Sequence, residues 1–183
     1  MSALMIQCIG YMGLLAFIIS YQTRKNRKLF LLQMLGVLLF ALQFVFLGAY
    51  SGCLSLLLIG IRNILLSKYH KWEWVRKWIW PVILSILFTV ILYVTWAGPI
   101  SLLSYVASVV STFVYWTNNA RNLRIANLFV CNPCWIIYDI IIGSWGGIAS
   151  ESLTMISIIV SIIRFGWKNL GKKEGEYPEG GSE

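Results

Sequence analysis

The basic residues of this chain recur at intervals that few folds accommodate. Arg24, Lys25, Arg27 and Lys28 form one cluster, then Arg62, Lys68, Lys71, Arg76 and Lys77, then Arg121 and Arg124, then Arg164, Lys168, Lys172 and Lys173. The clusters are separated by pairs of apolar runs whose short linkers carry no Lys or Arg. A helix rising about 1.5 Å per residue needs roughly 20 apolar residues to cross about 30 Å of hydrocarbon, and each run is close to that length. The runs are Leu4 to Tyr21, Leu29 to Leu47, Tyr50 to Ser67, Trp78 to Trp96, Pro99 to Trp116, Ile125 to Ile142 and Ile148 to Trp167. The pattern predicts an all-α polytopic membrane protein with seven transmembrane helices, followed by a short polar tail over 172–183.

Cytoplasmic loops retain Lys and Arg, so the clusters mark the inside. The N-terminus is then outside and the C-terminus cytoplasmic, and the first run reads as an N-out span instead of a cleavable signal peptide. Composition agrees with a membrane domain: 58% hydrophobic and 12% charged residues leave too little polar material to cover a soluble domain. The net charge of +8 sits beside the spans and not along one amphipathic face. It points to anionic lipid headgroups and away from nucleic acid. Most tryptophans (Trp72, Trp74, Trp78, Trp80, Trp96, Trp116, Trp145 and Trp167) fall at span ends or in the inner loop, as an interfacial belt requires. Trp135 is left near the middle of the bilayer.

Polar groups inside hydrocarbon are costly and turn toward the bundle interior, where they mark a site or a packing contact. The sixth span is richest, with Asn132, Pro133, Trp135, Tyr138 and Asp139 within eight residues. Pro133 frees a backbone carbonyl near mid-membrane, either to expose backbone to a solute or merely to shape packing. Trp135 offers a stacking face, or simple bulk. Asp139 and Glu151 lie at similar depth near the outer end. There they share a proton or a cation, or each reaches water at the outer mouth. Arg62 and Arg164 lie near inner ends, where their stems can snorkel to the headgroups. Their depth leaves about 20 Å between Arg62 and Asp139, so no direct ion pair is expected. Gln33, Gln43, Asn63, Ser104, Ser108 and Thr112 add hydrogen-bonding groups, or ordinary helix packing. Cys131 and Cys134 share a helical face but make only half a zinc site, and read as packing residues. His70, in the inner loop, reads as a solvated interfacial residue. No catalytic constellation, metal motif or cofactor motif is present in the sequence.

The stretches Leu47-Gly48-Ala49-Tyr50-Ser51-Gly52 and Ile142-Gly143-Ser144-Trp145-Gly146-Gly147 match in kind, 95 residues apart. Each joins the second and third members of a three-span group, 4–67 and 99–167. Three spans reverse the chain's side, so two such groups run in the same direction only if a fourth span intervenes. The run 78–96 is placed to be that inverting helix, which gives a 3+1+3 parallel-repeat layout like that of SWEET-type transporters.

The chain resembles the YgjV-type bacterial inner-membrane proteins over nearly its whole length. The resemblance is carried by Gly13, Leu47-Gly48-Ala49-Tyr50, Ile61-Arg62, Cys134-Trp135, Gly143-Ser144-x-Gly146-Gly147 with Glu151, and Ile162-Ile163-Arg164-Phe165. It implies a polytopic inner-membrane protein of undefined activity. A more distant similarity to SWEET and PQ-loop transporters rests on Tyr21-Gln22, where Tyr stands in the motif's Pro position, and on Pro133 as the mid-span proline. The function expected from these features is that of a small-solute transporter or facilitator and not an enzyme. A small polar or aromatic solute would bind between the repeats among Gln43, Arg62, Asn132, Pro133, Trp135, Tyr138, Asp139, Glu151 and Arg164. The alternative is a non-transporting scaffold or sensor acting through the Trp-rich inner loop from Lys68 to Lys77. Oligomeric state is not readable from the sequence.

Overall fold

The computed structural model describes residues 2–22, 26–69 and 71–165. Expectations resting on Arg24, Lys25, His70, Trp167, Lys168, Lys172, Lys173 and the tail lie outside these residues, as do those on the side chains of Tyr21, Arg27 and Lys28. Every regular element among the described residues is helical. In chain order they are α1 (Ala3–Gln22), α2 (Asn26–Phe46), α3 (Tyr50–Ser67), a 3-10 turn (Glu73–Arg76), α4 (Ile79–Val94), α5 (Ile100–Trp116), α6 (Ala120–Ala126), a π turn (Asn127–Cys131), α7 (Asn132–Ile142) and α8 (Trp145–Phe165). Ala3–Ser20, Tyr50–Ser67, Arg121–Ile142 and Trp145–Arg164 are each long and apolar enough to cross a membrane. Leu31–Phe46, Ile79–Val94 and Ile100–Trp116 are shorter apolar helices, which makes seven apolar helices among the described residues.

The outward faces are greasy in a way that water does not tolerate. Ile79, Val82, Ile86, Val90 and Val94 on α4, and Ile156, Val160 and Ile163 on α8, are all exposed. Contiguous apolar surface of this extent belongs against lipid. The interior is not uniformly apolar. Ser101, Ser104, Ser108, Ser111 and Thr112 form a buried stripe along α5. Ser104 donates to Ser101 O, Ser108 to Ser104 O, and Ser111 and Thr112 to Ser108 O, so these hydroxyls are satisfied within their own helix. Their small side chains let neighbouring helices approach closely, which is how membrane helices associate without a hydrophobic driving force.

Helix contacts run α1 to α2, α2 to α3, α3 to α5, α5 to α7, α7 to α8, and α8 back to α1. This orders six spans as a closed ring. Helix α4 packs on α3 and α5 outside that ring. One end of the bundle carries the glycine turns, and the other carries the basic loops. At the basic end the 3-10 turn is docked, not free. Val75 is fully buried beside Leu58, Leu84, Phe88 and Trp116, and the Trp116 indole donates to Val75 O at 3.0 Å. Trp116 is therefore a buried pin for the 3-10 turn, where the belt pattern placed it at the headgroups.

The two glycine turns have the same internal geometry. Gly48 and Gly143 both take left-handed φ values, 72° and 75°, which a glycine adopts without the Cβ clash other residues meet. Ala49 N–H donates to Phe44 O and Ser144 N–H to Asp139 O, each at 2.8 Å. Cys53 N–H reaches Ala49 O and Ile148 N–H reaches Ser144 O, each at 3.0 Å. This is the six-to-one closure that stops a helix at a glycine, used twice with every partner 95 positions apart.

Candidate functional site

Inside the ring lies a cavity of about 400 Å³. All six ring spans contribute to its wall, including Phe17 from α1, Phe40 and Phe44 from α2, Arg62 from α3, Ser111 and Tyr115 from α5, Asn132, Trp135 and Asp139 from α7, and Glu151 from α8. Its size falls in the range of small-molecule sites, and its lining mixes aromatic faces with a few polar groups.

Arg62 enters from α3 and is 3% exposed. Its Nη1 donates to Ser111 Oγ at 2.7 Å and Thr112 Oγ1 at 3.3 Å, while Nε and Nη2 donate to Asn63 Oδ1 at 3.3 and 3.2 Å. The guanidinium carbon lies 4.5 Å from the Tyr115 ring centroid, within cation–π range. The expected snorkelling of Arg62 to the headgroups is thus replaced by a guanidinium held inside the protein. Depth along a helix says nothing about its face, and the α5 hydroxyls offer the charge a better solvation shell than a long reach to the interface. Arg62 and Asp139 form no ion pair, although both line the same cavity.

The sixth span carries a π turn just before its buried polar residues. Asn132 N–H reaches back five residues to Asn127 O, immediately before Pro133. Proline lacks the N–H for the usual bond and crowds the preceding turn, and the wider π turn absorbs both defects without breaking the span. Asn127, Cys131, Asn132, Trp135 and Asp139 share the cavity wall. Asn132 is 4% exposed and Asp139 2% exposed, and Asn132 Nδ2 and Asp139 Oδ1 have no hydrogen-bond partner. Asp139 is buried where the sequence left open an approach to water at the mouth. Its carboxyl group lies over Gly147: a Cβ there would sit 2.6 Å from Asp139 Cγ. Gly147 is one turn before Glu151 on α8, so the two acidic groups approach the cavity from adjacent helices. Trp135 is flanked by Phe44 and Tyr138, with ring centroids 6.3 and 5.6 Å away.

The other four expected site residues stand elsewhere. Tyr138 turns toward the start of α3, where its hydroxyl accepts from Gly52 N–H at 2.8 Å and shares a hydrogen bond with Ser51 Oγ at 3.1 Å. Gln43 is fully buried and bonds Gln7 Oε1 and Ser144 Oγ, both at 3.2 Å. Gln7 in turn donates to Gly143 O at 2.7 Å. These two sets act as clamps across the glycine-turn end, each carrying a side chain from a middle helix to the turn of the other group. Pro133 is not on the cavity wall, and Arg164 is exposed on α8. The sequence reading passed over Gln7, Ser111 and Tyr115. Only the spacing of Ser111 with Ser104 and Ser108 signalled an inward stripe.

Cavity positions on the two groups also correspond. Val37 and Asn132, Phe40 and Trp135, Phe44 and Asp139, Leu56 and Glu151, and Ile59 and Thr154 all line the cavity, and each pair is 95 residues apart. The family model for Imp-YgjV, described as a bacterial inner membrane protein, matches residues 4–169. The chain belongs to the Imp-YgjV family. It is accordingly a multi-pass inner-membrane protein. No curated protein and no solved structure matches it. For this Imp-YgjV protein, the cavity and its two clamps are the features that carry a functional reading.

Proposed function

We propose that the protein is a transporter or facilitator that holds a small polar or aromatic solute in the central cavity, between two parallel three-helix units. The observation that carries this reading is a ligand-sized space at the centre of the helix ring, walled by aromatic faces and by buried Arg62, Asn132 and Asp139. Polar groups in a membrane core are expensive, and a cavity that gathers them suggests a solute path. The helix contacts support the parallel-repeat reading. A two-fold axis along the membrane normal that exchanges α1 with α5, α2 with α7 and α3 with α8 turns every contact of the ring into another of its contacts. In this reading α4 is the inverting helix of a 3+1+3, SWEET-like layout. The basic clusters face the cytoplasm and the glycine turns the periplasm, with the N-terminus periplasmic. The two clamps then close the periplasmic side, and access from that side requires the Tyr138 and Gln43 hydrogen bonds to break.

The test is uptake of a broad metabolite panel into proteoliposomes, read against empty vesicles and against Trp135→Ala and Asn132→Leu. Accumulation of a defined solute class, lost at least tenfold in both variants, is the expected result. A panel that yields neither uptake nor thermal stabilisation of the purified protein overturns the reading.

A further inference from the structure

The unmet polar groups of the cavity sort by depth. Counting about 1.5 Å per residue from the glycine-turn ends of their helices, Asp139 lies about 5 Å deep, Glu151 about 9 Å, Asn132 about 15 Å and Arg62 about 18 Å. The shallow pair are acidic groups: one Asp139 oxygen has no partner, and Glu151 has no hydrogen bond or ion pair among the described residues. The deep pair are donors. Asn132 Nδ2 has no acceptor. Arg62 has five N–H groups, and its four hydrogen bonds leave one on Nη2 without an acceptor among the described residues. A guanidinium stays charged at every physiological pH, and this one is buried with dipoles and a ring around it but no carboxyl group paired to it. Leaving a buried charge without a counter-charge is strongly unfavourable, and so is leaving buried donors and acceptors unmatched. Between the two levels the wall is aromatic, with Phe40 and Trp135 at about 9–11 Å by the same count.

We infer that the solute is a short extended zwitterion whose acidic group meets Arg62 and Asn132, whose ammonium group meets Glu151 and Asp139, and whose carbon body lies on Phe40 and Trp135. The inference rests on the transport reading and narrows it to a substrate class. A neutral solute leaves both ends of the cavity unmatched, and an ion of either sign leaves one. A zwitterion matches both, with each charge entering a charge-assisted hydrogen bond.

The probes are 6-aminohexanoate, hexanoate and hexylammonium, which share a chain length and differ only in their charged ends. Binding to the full-length protein in nanodiscs is measured calorimetrically. The expected result is that 6-aminohexanoate binds at least tenfold more tightly than either single-charge compound. Arg62→Gln removes its advantage over hexylammonium and keeps its advantage over hexanoate, while Glu151→Gln does the reverse. Arg62→Lys retains the charge and the preference, and Asn132→Leu weakens binding of the two compounds with an acidic end without altering hexylammonium. These two variants keep the test decisive if Arg62→Gln does not fold. Equal binding of a single-charge compound, no binding of any of the three, or preferences unmoved by the variants overturns the inference. Uptake from a mixed metabolite extract separates the two readings. Accumulation of neutral or singly charged solutes alone overturns the zwitterion and leaves transport standing, whereas accumulation of nothing overturns both.

Discussion

The helices α1 to α3 and α5 to α8 share the geometry of one turn and the offsets of their cavity positions, and differ in chemistry. Their glycine turns close with the same hydrogen bonds, and their middle helices present residues to the cavity at the same offsets. At those offsets the first group offers Val37, Phe40, Phe44, Leu56 and Ile59, while the second offers Asn132, Trp135, Asp139, Glu151 and Thr154. At these five positions the first group is apolar, and the second is polar except at Trp135. Elsewhere the first group also brings Gln33, Arg62 and Asn63 to the wall. Of these Arg62 carries the charge, and α5 holds its guanidinium through Ser111 and Thr112. Matching backbones thus enclose a site that is not itself symmetric. Such a site fixes the orientation of whatever it holds, which a wall with the same chemistry on both sides does not.

The comparison breaks most readily where the two groups differ in how tightly they pack. Gly146 meets the backbone of Gly10, and a Cβ there would lie 2.6 Å from Gly10 C, whereas its counterpart in the first group is Ser51. Gly146→Ala should cost about 1–3 kcal/mol by overpacking the α1 to α8 crossing, while Ser51→Ala loses one hydrogen bond worth about 1 kcal/mol. Reversible unfolding in mixed micelles measures both, and equal costs would mean that the crossing is looser than the backbone distances state.

The clamps come next. Tyr138→Phe leaves Gly52 N–H without its acceptor, and Gln43→Leu strips partners from Gln7 and Ser144; each should cost about 1–2 kcal/mol. Because the two clamps share no hydrogen bond, the double variant should sum to within about 0.5 kcal/mol. A larger coupling energy would show that they open as one unit.

Replacing Glu151 by its counterpart, Leu56, sharpens the chemical half of the comparison. Glu151→Leu should leave stability unchanged or raise it by about 1 kcal/mol, since half-buried Glu151 has no hydrogen bond or ion pair among the described residues to lose. Solute uptake should fall at least tenfold at the same time. A variant that loses stability and keeps uptake assigns Glu151 to the scaffold. The smallest effect is expected at Thr154, which pairs with Ile59 and already donates its hydroxyl to Ser150 O at 3.0 Å. Thr154→Val should shift stability by less than about 0.5 kcal/mol, in line with substitutions that touch none of the costly mechanisms.

Helix positions and both glycine turns were legible because hydropathy and left-handed glycines leave marks in the sequence itself. Tyr50–Ser67 begins and ends where the apolar run does. The direction of a polar side chain leaves no such mark. Arg62 read as a snorkelling residue because its depth was countable and its face was not. Tyr138 and Gln43 read as site residues because a clamp and a site look alike in a list of buried polar groups. Asn132, Trp135 and Asp139 were legible as residues gathered in one span, and their spacing of three and four puts them on one face of α7, but the π turn before them, whose extra residue per turn no 3.6-residue count anticipates, brings Asn127 and Cys131 to the same wall. Gln7 lay near the end of its span, where polar residues are ordinary, and its bond to Gly143 could not be foreseen without knowing that α1 and α8 meet.

The position of α4 also has a mechanical consequence. This 16-residue helix, about 24 Å long, straps α3 to α5 on one side of the ring, whereas α1 and α8 meet on the other side without a strap. In the transport reading, a ring bound along one seam opens like a book, with its spine at α4 and its fore-edge at Gly10 and Gly146. Disulfides engineered across the fore-edge should therefore arrest the protein, and the same cross-links across the spine should leave it free to work.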